Sequence, residues 1–304
     1  MLSKFRGAIL GLSIGDALGM PSEGLTKEEI KLNYGKIEDY SSPKNHFEGI
    51  LTAGDYTDDT QQTIAMIKSI KPEGFSMELF IKNLIDWYNN SPIGMGPTSE
   101  KAIKNLINGN YEGVNSKTCG AAMRVAPLGL YYYDNLLELK KHVIESSKIT
   151  HNNKDAIAGA LTIAFFVASC LGNQDCKNKE YLKKCSEFVS DVSEDFAEKI
   201  LLIKSMDSVE KGYEEFGTGI NADECVPSAV HTFFATGNFR DGMIFAVNAG
   251  GDTDSLGSMF GAIAGAHYGF HNIPKKWVEG IKNRDYLISL ADYLYKIKFN
   301  HEYY

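Results

Sequence analysis

The stretch Gly257-Ser258-Met259-Phe260-Gly261-Ala262-Ile263-Ala264-Gly265-Ala266-His267-Tyr268-Gly269 sets a glycine at every fourth position, and Gly7, Gly11, Gly15 and Gly19 repeat the pattern near the start of the chain. On a helix that spacing puts each set on one face, where the missing side chains let another backbone approach. A glycine inside a helix costs about 1 kcal/mol relative to alanine, so the two ladders need an offsetting contact. In a membrane such a stripe reads as a dimerisation face. Asp16, His267 and a mean hydropathy of −0.22 favour buried helices of a soluble fold instead. The two ladder helices are therefore expected near the centre of the fold, and pairing with each other is the simplest contact. That pairing would bring the two ends of the chain together.

Outward from the ladders the chain reads as helical. Thr26-Lys27-Glu28-Glu29 is a capping box with Gly35 as its stop. Apolar spacing predicts helices over 76–88, 135–147, 155–171, 194–204 and 241–249, and Pro274 opens another through Trp277 and Ile281. The polar stretch 173–180 reads as a loop, and no linker divides the chain, so one all-α domain over 1–304 is expected. With 304 residues, 43% of them hydrophobic and 23% charged, the chain can bury a large core. A net charge of −8 argues against a nucleic-acid partner, which demands a cationic face. It leaves room for a small phosphorylated ligand held by backbone N–H groups. The five cysteines are odd in number and form no C-x-x-C pair, which predicts neither a disulfide framework nor a zinc knuckle and fits a reducing cytoplasm. Asp16 interrupts the apolar N-terminal run, which speaks against a signal peptide. No stretch reads as long and apolar enough to span a membrane. A cytoplasmic monomer is the expectation.

Two acidic clusters carry the chemistry. Thr57-Asp58-Asp59-Thr60 precedes the helix-like run Gln61-Gln62-Thr63-Ile64-Ala65-Met66. Asp252-Thr253-Asp254-Ser255 follows Gly250-Gly251 and precedes Leu256-Gly257-Ser258-Met259-Phe260. Acids at a helix start are favoured by the dipole and cap free N–H groups, which is enough to explain one such cluster. Two clusters exceed that need, and the glycines behind the second allow close backbone approach. If the segments meet, they make an all-oxygen site suited to magnesium or manganese rather than zinc. Two cations bridged by carboxylates would serve hydrolysis.

Gly15-Asp16-Ala17-Leu18-Gly19 with Glu23, Tyr56-Thr57-Asp58-Asp59-Thr60, Gly120-Ala121-Ala122-Met123-Arg124, Thr150-His151 and Gly250-Gly251-Asp252-Thr253-Asp254-Ser255 together resemble the ordered motifs of the ADP-ribosylglycohydrolase family. That family includes the dinitrogenase-reductase-activating glycohydrolases and their eukaryotic relatives, and the likeness covers nearly the whole chain. It implies an orthogonal all-α helical bundle around a two-metal centre, hydrolysing an N- or O-glycosidic bond at the distal ribose of ADP-ribose. The implied partner is an ADP-ribosylated protein or a small ADP-ribosyl compound. By matching position, Thr57, Asp58, Asp59, Asp252, Asp254 and Ser255 would ligate two divalent cations, Mg2+ or Mn2+. Glu23 would lie beside them and His151 close to the ligand. Glu23, Asp254 and Asp58 are the candidates for catalysis, with Asp254 or Glu23 accepting the proton of the attacking water. Asp16 is read as a supporting carboxylate.

Two turns suit a pyrophosphate. Gly94-Met95-Gly96-Pro97-Thr98-Ser99 leads into a helix near Ser99, and Cys119-Gly120-Ala121-Ala122 leads into another. Gly94, Gly96, Thr98, Cys119, Gly120, Ala121, Met123 and His151 make up the expected substrate wall. Neither turn is G-x-G-x-x-G or a Walker loop, so dinucleotide oxidoreduction and nucleoside triphosphate hydrolysis lack their signatures. Arg124 is open to two readings, phosphate binding or a buried ion pair. Tyr131-Tyr132-Tyr133 reads as a packing edge, with adenine stacking as the alternative. Within the resemblance, Gly94 stands where arginine-directed members carry an aspartate, and Cys119 where many carry asparagine. A guanidinium acceptor is therefore not favoured. Two other classes stand beside the hydrolase: a non-catalytic ADP-ribose-binding or structural member, as the lens crystallins of the family are, and a binuclear nucleotide phosphodiesterase, whose histidine ligands are missing here.

Overall fold

Caps and apolar stripes set the helix ends in the computed structural model, which describes residues 1–90, 92–172 and 175–299. Among the described residues there are sixteen α-helices. In chain order the first eight are α1 (Leu2–Gly19), α2 (Lys27–Tyr34), α3 (Asp58–Lys68), α4 (Met77–Asn89), α5 (Pro97–Ile107), α6 (Ala126–Tyr131), α7 (Leu136–Lys148) and α8 (Lys154–Gly172). They are followed by α9 (Glu180–Val189), α10 (Glu194–Leu202), α11 (Val209–Phe216), α12 (Ala222–Ala235), α13 (Phe239–Val247), α14 (Thr253–Tyr268), α15 (Lys275–Gly280) and α16 (Arg284–Phe299). Two short strands, β1 (Ile70–Lys71) and β2 (Gly74–Phe75), pair antiparallel with Ile70 opposite Phe75. The fold is all-α.

Local chemistry accounts for most of the boundaries. Thr26 accepts from the Glu29 N–H while the Glu29 side chain accepts from Thr26, and Gly35 follows the last turn of α2 at φ +68°. Ser76, Asn135 and Ser193 cap α4, α7 and α10 with their side chains. Some expectations shift. Pro274 is the N-cap of α15 rather than a residue of its first turn, and the helix stops at Gly280. The segment expected at 241–249 begins at Phe239 and ends at Val247, because Asn238 supplies the cap. Of the polar stretch 173–180, residues 173 and 174 lie outside the described residues; 175–179 are turns and a bend, and Glu180 opens α9. Helices α9, α11, α12 and α16 have no counterpart in the sequence reading, and α12 carries Pro227 inside it.

The ladders pack against each other, so α1 and α14 form the central pair. A Cβ placed on Gly261 would stand 2.5 Å from the Gly11 carbonyl carbon, and one on Gly257 would stand 2.6 Å from the Gly15 carbonyl oxygen. Gly265 meets Gly7 in the same way. The fourth rung differs: Gly269 lies just past α14 at φ +79° and ends it, while Gly19 faces Thr253 and Asp254. One hydrophobic cluster, from Phe5 through Phe80, Phe166, Phe233 and Phe260 to Leu294, surrounds this pair. Helix α8, with 19 residues and a mean hydropathy of 1.8, is long and apolar enough to cross a bilayer, which corrects the sequence expectation. Yet 83% of that window is buried inside the fold, as a core helix requires.

Candidate functional site

Helix α1 holds the first acidic cluster in place. Asp16, wholly buried between Gly15 and Gly19, accepts from the Thr57 N–H at 2.8 Å, the Thr57 hydroxyl at 2.9 Å, the Thr60 N–H at 2.9 Å and the Thr60 hydroxyl at 2.6 Å. Its two oxygens thus cap the start of α3, and Asp58 and Asp59 in that first turn line the cleft described below. These four bonds tie α1 to the first turn of α3. Asp252 and Asp254 arrive at the start of α14, behind Gly250 and Gly251 at φ +83° and +77°. Gly251 presses on Thr218, whose carbonyl accepts from the Asp252 N–H at 2.8 Å.

The two clusters meet. The Thr57 hydroxyl lies 3.4 Å from Asp254 Oδ2, and the Ser255 hydroxyl lies 3.4 Å from Asp59 Oδ2. Glu23, Asp252 and Asp254 each bring an oxygen within 4.8 Å of the others. A cleft of about 200 Å³ opens above them, lined by Glu23, Asp58, Asp59, Asp252, Asp254 and Ser255 on one side. Gly94, Gly96, Pro97, Thr98, Ser99, Thr118, Cys119, Gly120, Met123, His151 and Ile220 form the rest of its wall. Two expected residues do not line it. Ala121 is buried in the turn behind Gly120, and Thr57 lies beneath the carboxylates, touching Asp16 and Asp254.

Glycines shape the opposite wall. Gly94 has φ +78°, and a Cβ there would stand 3.1 Å from the Thr57 Cβ and 3.2 Å from Asp58 Oδ1. A Cβ on Gly120 would stand 2.6 Å from the His151 ring, so the histidine reaches the cleft only past a bare backbone. The His151 Nδ1 pairs with the Thr150 hydroxyl at 2.9 Å. Burial and the nearby Arg124 charge lower the His151 pKa to about 3, so the ring is neutral. Arg124 is buried and donates to Gln62 Oε1 at 2.5 Å, the Thr150 hydroxyl at 2.6 Å and the Ser146 carbonyl at 3.3 Å. Among the described residues it neither lines the cleft nor forms an ion pair, so both readings offered for it give way to a third: it fastens Gln62 and Thr150. Gln62 in turn donates to Asp58 at 2.8 Å. Sequence reading passed over Gln62, although its place one turn after Asp58 carries the signal. The Tyr131–Tyr133 run packs away from the cleft; Tyr131 donates to the Pro72 carbonyl and Tyr132 accepts from the Phe75 N–H.

The carboxylates resist ionisation in the bare protein. Burial, then the Asp254 and Asp58 charges, push Glu23 up to about 10. Burial, then Asp254, push Asp16 up to about 7. Asp58 and Asp59 stand well above the usual carboxylate range through burial and then Asp254, and Asp252 through burial and then Cys119. Glu23 Oε2 and Asp59 Oδ1 are buried without a hydrogen-bond partner, His46 Nε2 standing 3.5 Å from the former. Unpartnered oxygens among crowded acids are what a bound cation relieves. The donor set is carboxylate and hydroxyl, with the Cys119 thiol 3.1 Å behind Asp252. These residues fit hard divalent cations.

An all-helical fold that gathers two acidic helix starts into one oxygen-lined cleft defines the class. A sequence model of the ADP-ribosylglycohydrolase family matches residues 1–302. The chain belongs to that family. An uncharacterised protein of Archaeoglobus fulgidus is 41% identical, the alignment covering 98% of this chain and 97% of that protein. The ADP-ribosyl-[dinitrogen reductase] glycohydrolase of Rhodospirillum rubrum is 29% identical, with 90% and 88% covered. A solved structure described as an ADP-ribosylglycohydrolase-related protein complex superposes with a TM-score of 0.82 at 27% identity, covering 98% of this chain and 99% of the other.

Proposed function

We propose that this chain, acting as a single-domain monomer over residues 1–304, hydrolyses the glycosidic bond between ADP-ribose and an acceptor and requires divalent cations to do so. The observation that carries the reading is the meeting of Glu23, Asp58, Asp59, Asp252 and Asp254 in one cleft, with Glu23 Oε2 and Asp59 Oδ1 buried and without a hydrogen-bond partner among the described residues. Thr57, Asp58, Asp59, Asp252, Asp254 and Ser255 would hold two cations, Mg2+ or Mn2+. When bound, these would supply Lewis acidity toward the ribose hydroxyls and the attacking water.

The residues themselves do the rest. Asp16 and Gln62 fix the orientation of Thr57 and Asp58 through the bonds described above. The turn 94–99 and the N–H groups around Gly120 form an uncharged wall, suited to an anionic pyrophosphate, opposite the acids. His151, neutral and anchored by Thr150, offers Nε2 to the sugar or phosphate without adding charge. Glu23 or Asp254 takes the proton of the water as it attacks the anomeric carbon. Holding the ribose so that its leaving group is aligned contributes alongside water activation.

The wall also bears on the acceptor. No acid stands at Gly94, and Glu100 and Asp223 are engaged elsewhere, with Lys104 and with Lys117 and Lys199. A guanidinium acceptor therefore meets no dedicated carboxylate. The test is a panel of defined ADP-ribosyl substrates, assayed with Mg2+, with Mn2+ and with a chelator, reading free ADP-ribose. Release that needs the cation supports the proposal. Release of AMP instead of ADP-ribose would move the protein to the phosphodiesterases, and binding of ADP-ribose without turnover of any substrate would make it a binding protein.

A further inference from the structure

A second cluster of reactive side chains lies away from the acidic cleft, at the end of α8. Cys170, the residue Cys176 six places on, and His267 near the end of α14 come together there. Cys170 Sγ and Cys176 Sγ are 2.6 Å apart, and Cys176 Sγ lies 3.1 Å from His267 Nδ1. Both thiols are buried. We propose that Cys170 and Cys176 are a reversible redox pair that a peroxide oxidises to a disulfide, with Cys176 as the thiol oxidised first.

The surroundings distinguish this from a cation site, although the same three side chains have ligand atoms within 4.8 Å of one another. Thiolates around a tetrahedral zinc bond at about 2.3 Å, which sets their sulfurs well over 3 Å apart. The sulfurs here are too close to bracket an ion. Two cationic side chains also stand close by. Lys4 on α1 donates to the Cys170 carbonyl, and the Lys177 ammonium donates to the Thr236 carbonyl and the Tyr268 hydroxyl over the rings of Phe233 and Tyr268. Such a setting repels a metal and favours a thiolate. The hydrogen bond from Cys170, then that from His267, lower the Cys176 thiol to about 6, while burial holds Cys170 well above its ordinary value. One sulfur is therefore the nucleophile and the other the resolving thiol. Burial selects a small oxidant such as hydrogen peroxide over a bulky disulfide.

The chemistry balances in two steps. The Cys176 thiolate attacks a peroxide oxygen; the S–O bond forms, the O–O bond breaks, and hydroxide leaves and takes a proton to become water. The sulfur is oxidised to a sulfenic acid and the peroxide is reduced. Cys170 then attacks that sulfur; the S–S bond forms, the S–O bond breaks, and the departing hydroxide leaves as water with the Cys170 proton. A thiol reductant reverses the result.

The experiment uses the full chain with its other cysteines in place. After brief exposure of the native protein to hydrogen peroxide, thiols titrated in denaturant should fall from five to three, and peptide mapping should link Cys170 to Cys176. Cys170→Ala should instead accumulate a sulfenic acid on Cys176 that a dione reagent traps. In the native protein at pH 7, hydrogen peroxide should oxidise Cys176 about 100-fold faster than Cys185, whose thiol burial pushes up to about 12. Five surviving thiols, a disulfide at another pair, or failure to trap Cys176 in the Cys170→Ala protein each overturn the proposal. So does one tightly held zinc per chain that protects both thiols until a chelator removes it.

Discussion

Alanine in place of Gly261 tests the central packing most directly, because it adds a single methyl where two backbones touch. That methyl would stand 2.5 Å from the Gly11 carbonyl carbon and 3.0 Å from Met243 Cε. Carbon atoms rest at about 3.5–4.0 Å, so α1 and α14 would have to part by about 1 Å. Met243 can swing aside, but the carbonyl belongs to a helix locked by its own hydrogen bonds. Overpacking of this kind costs typically 1–3 kcal/mol, and more when backbone must move. Alanine's helix propensity returns about 1 kcal/mol. The expected net loss is about 2 kcal/mol, which for a chain of this length is a drop of about 3 °C in Tm. Gly11→Ala, 3.0 Å from the Gly261 carbonyl carbon, should behave alike, whereas Gly237→Ala, with open space around it, should stay within about 0.5 kcal/mol of wild type. Urea denaturation with linear extrapolation measures all three. A Gly261→Ala protein as stable as wild type would refute the claim that the ladders are a backbone-to-backbone contact.

Asp58→Asn and Asp254→Asn should each stay folded yet bind Mn2+ at least about 100-fold more weakly, because each removes an anionic donor from an oxygen site. Calorimetric titration checks this, and unchanged affinity in both would remove them from the metal-binding set. In chelator, the raised carboxylates make stability fall with pH. Below about pH 4 Glu23 and Asp16 are protonated whether the chain is folded or not, and above it only the unfolded chain ionises, until the folded values near 7 and 10 are passed. The metal-free protein should therefore lose on the order of a few kcal/mol between pH 5 and pH 8, and saturating Mn2+ should restore stability at pH 8; a flat metal-free profile would contradict the crowding of acids. Arginine-linked ADP-ribose should not outpace oxygen-linked substrates, since an unpaired guanidinium forgoes charge-assisted hydrogen bonds worth roughly 1.5–3 kcal/mol, about one to two orders of magnitude in kcat/KM. Far faster cleavage of the arginine linkage would show that an acid reaches the acceptor by another route.

The glycine period exposed the α1–α14 pair because glycine is costly in a helix and only a close contact repays it. The acidic motifs exposed one wall of the cleft for a related reason: two clusters are more than helix capping needs. What escaped reading was set by tertiary contact. Helix α12 contains Pro227, which argues against a helix from sequence. Arg124 reads from sequence as a phosphate binder or half of a buried ion pair, since nothing local says that its partners are Gln62 and Thr150, 62 and 26 residues away. Cys170 and Cys176 show no motif spacing, and their third member, His267, is 91 residues beyond Cys176. Hydropathy singled out no membrane span, but α8 passes on length and composition; only its burial separates it from one.

The ladder and the acidic cleft are parts of one device. Along α1, Gly15 and Gly19 face α14, and Asp16 between them faces the start of α3. A Cβ on Gly19 would stand 2.6 Å from the Asp254 Cα, so the last rung sets how near the second acidic cluster comes. Asp16 sets the first cluster by accepting the amide and hydroxyl hydrogens of both Thr57 and Thr60. A single helix therefore registers both halves of the site. Four crowded carboxylates repel one another and would drift apart on flexible supports. Backbone contact on one side of α1 and four hydrogen bonds on the other hold them in place. This gives a physical reason for glycine at 15 and 19 and an acid at 16: a larger residue at 15 would push on Gly257 and Ser258, one at 19 would displace Thr253 and Asp254, and a neutral apolar residue at 16 would leave the first turn of α3 uncapped.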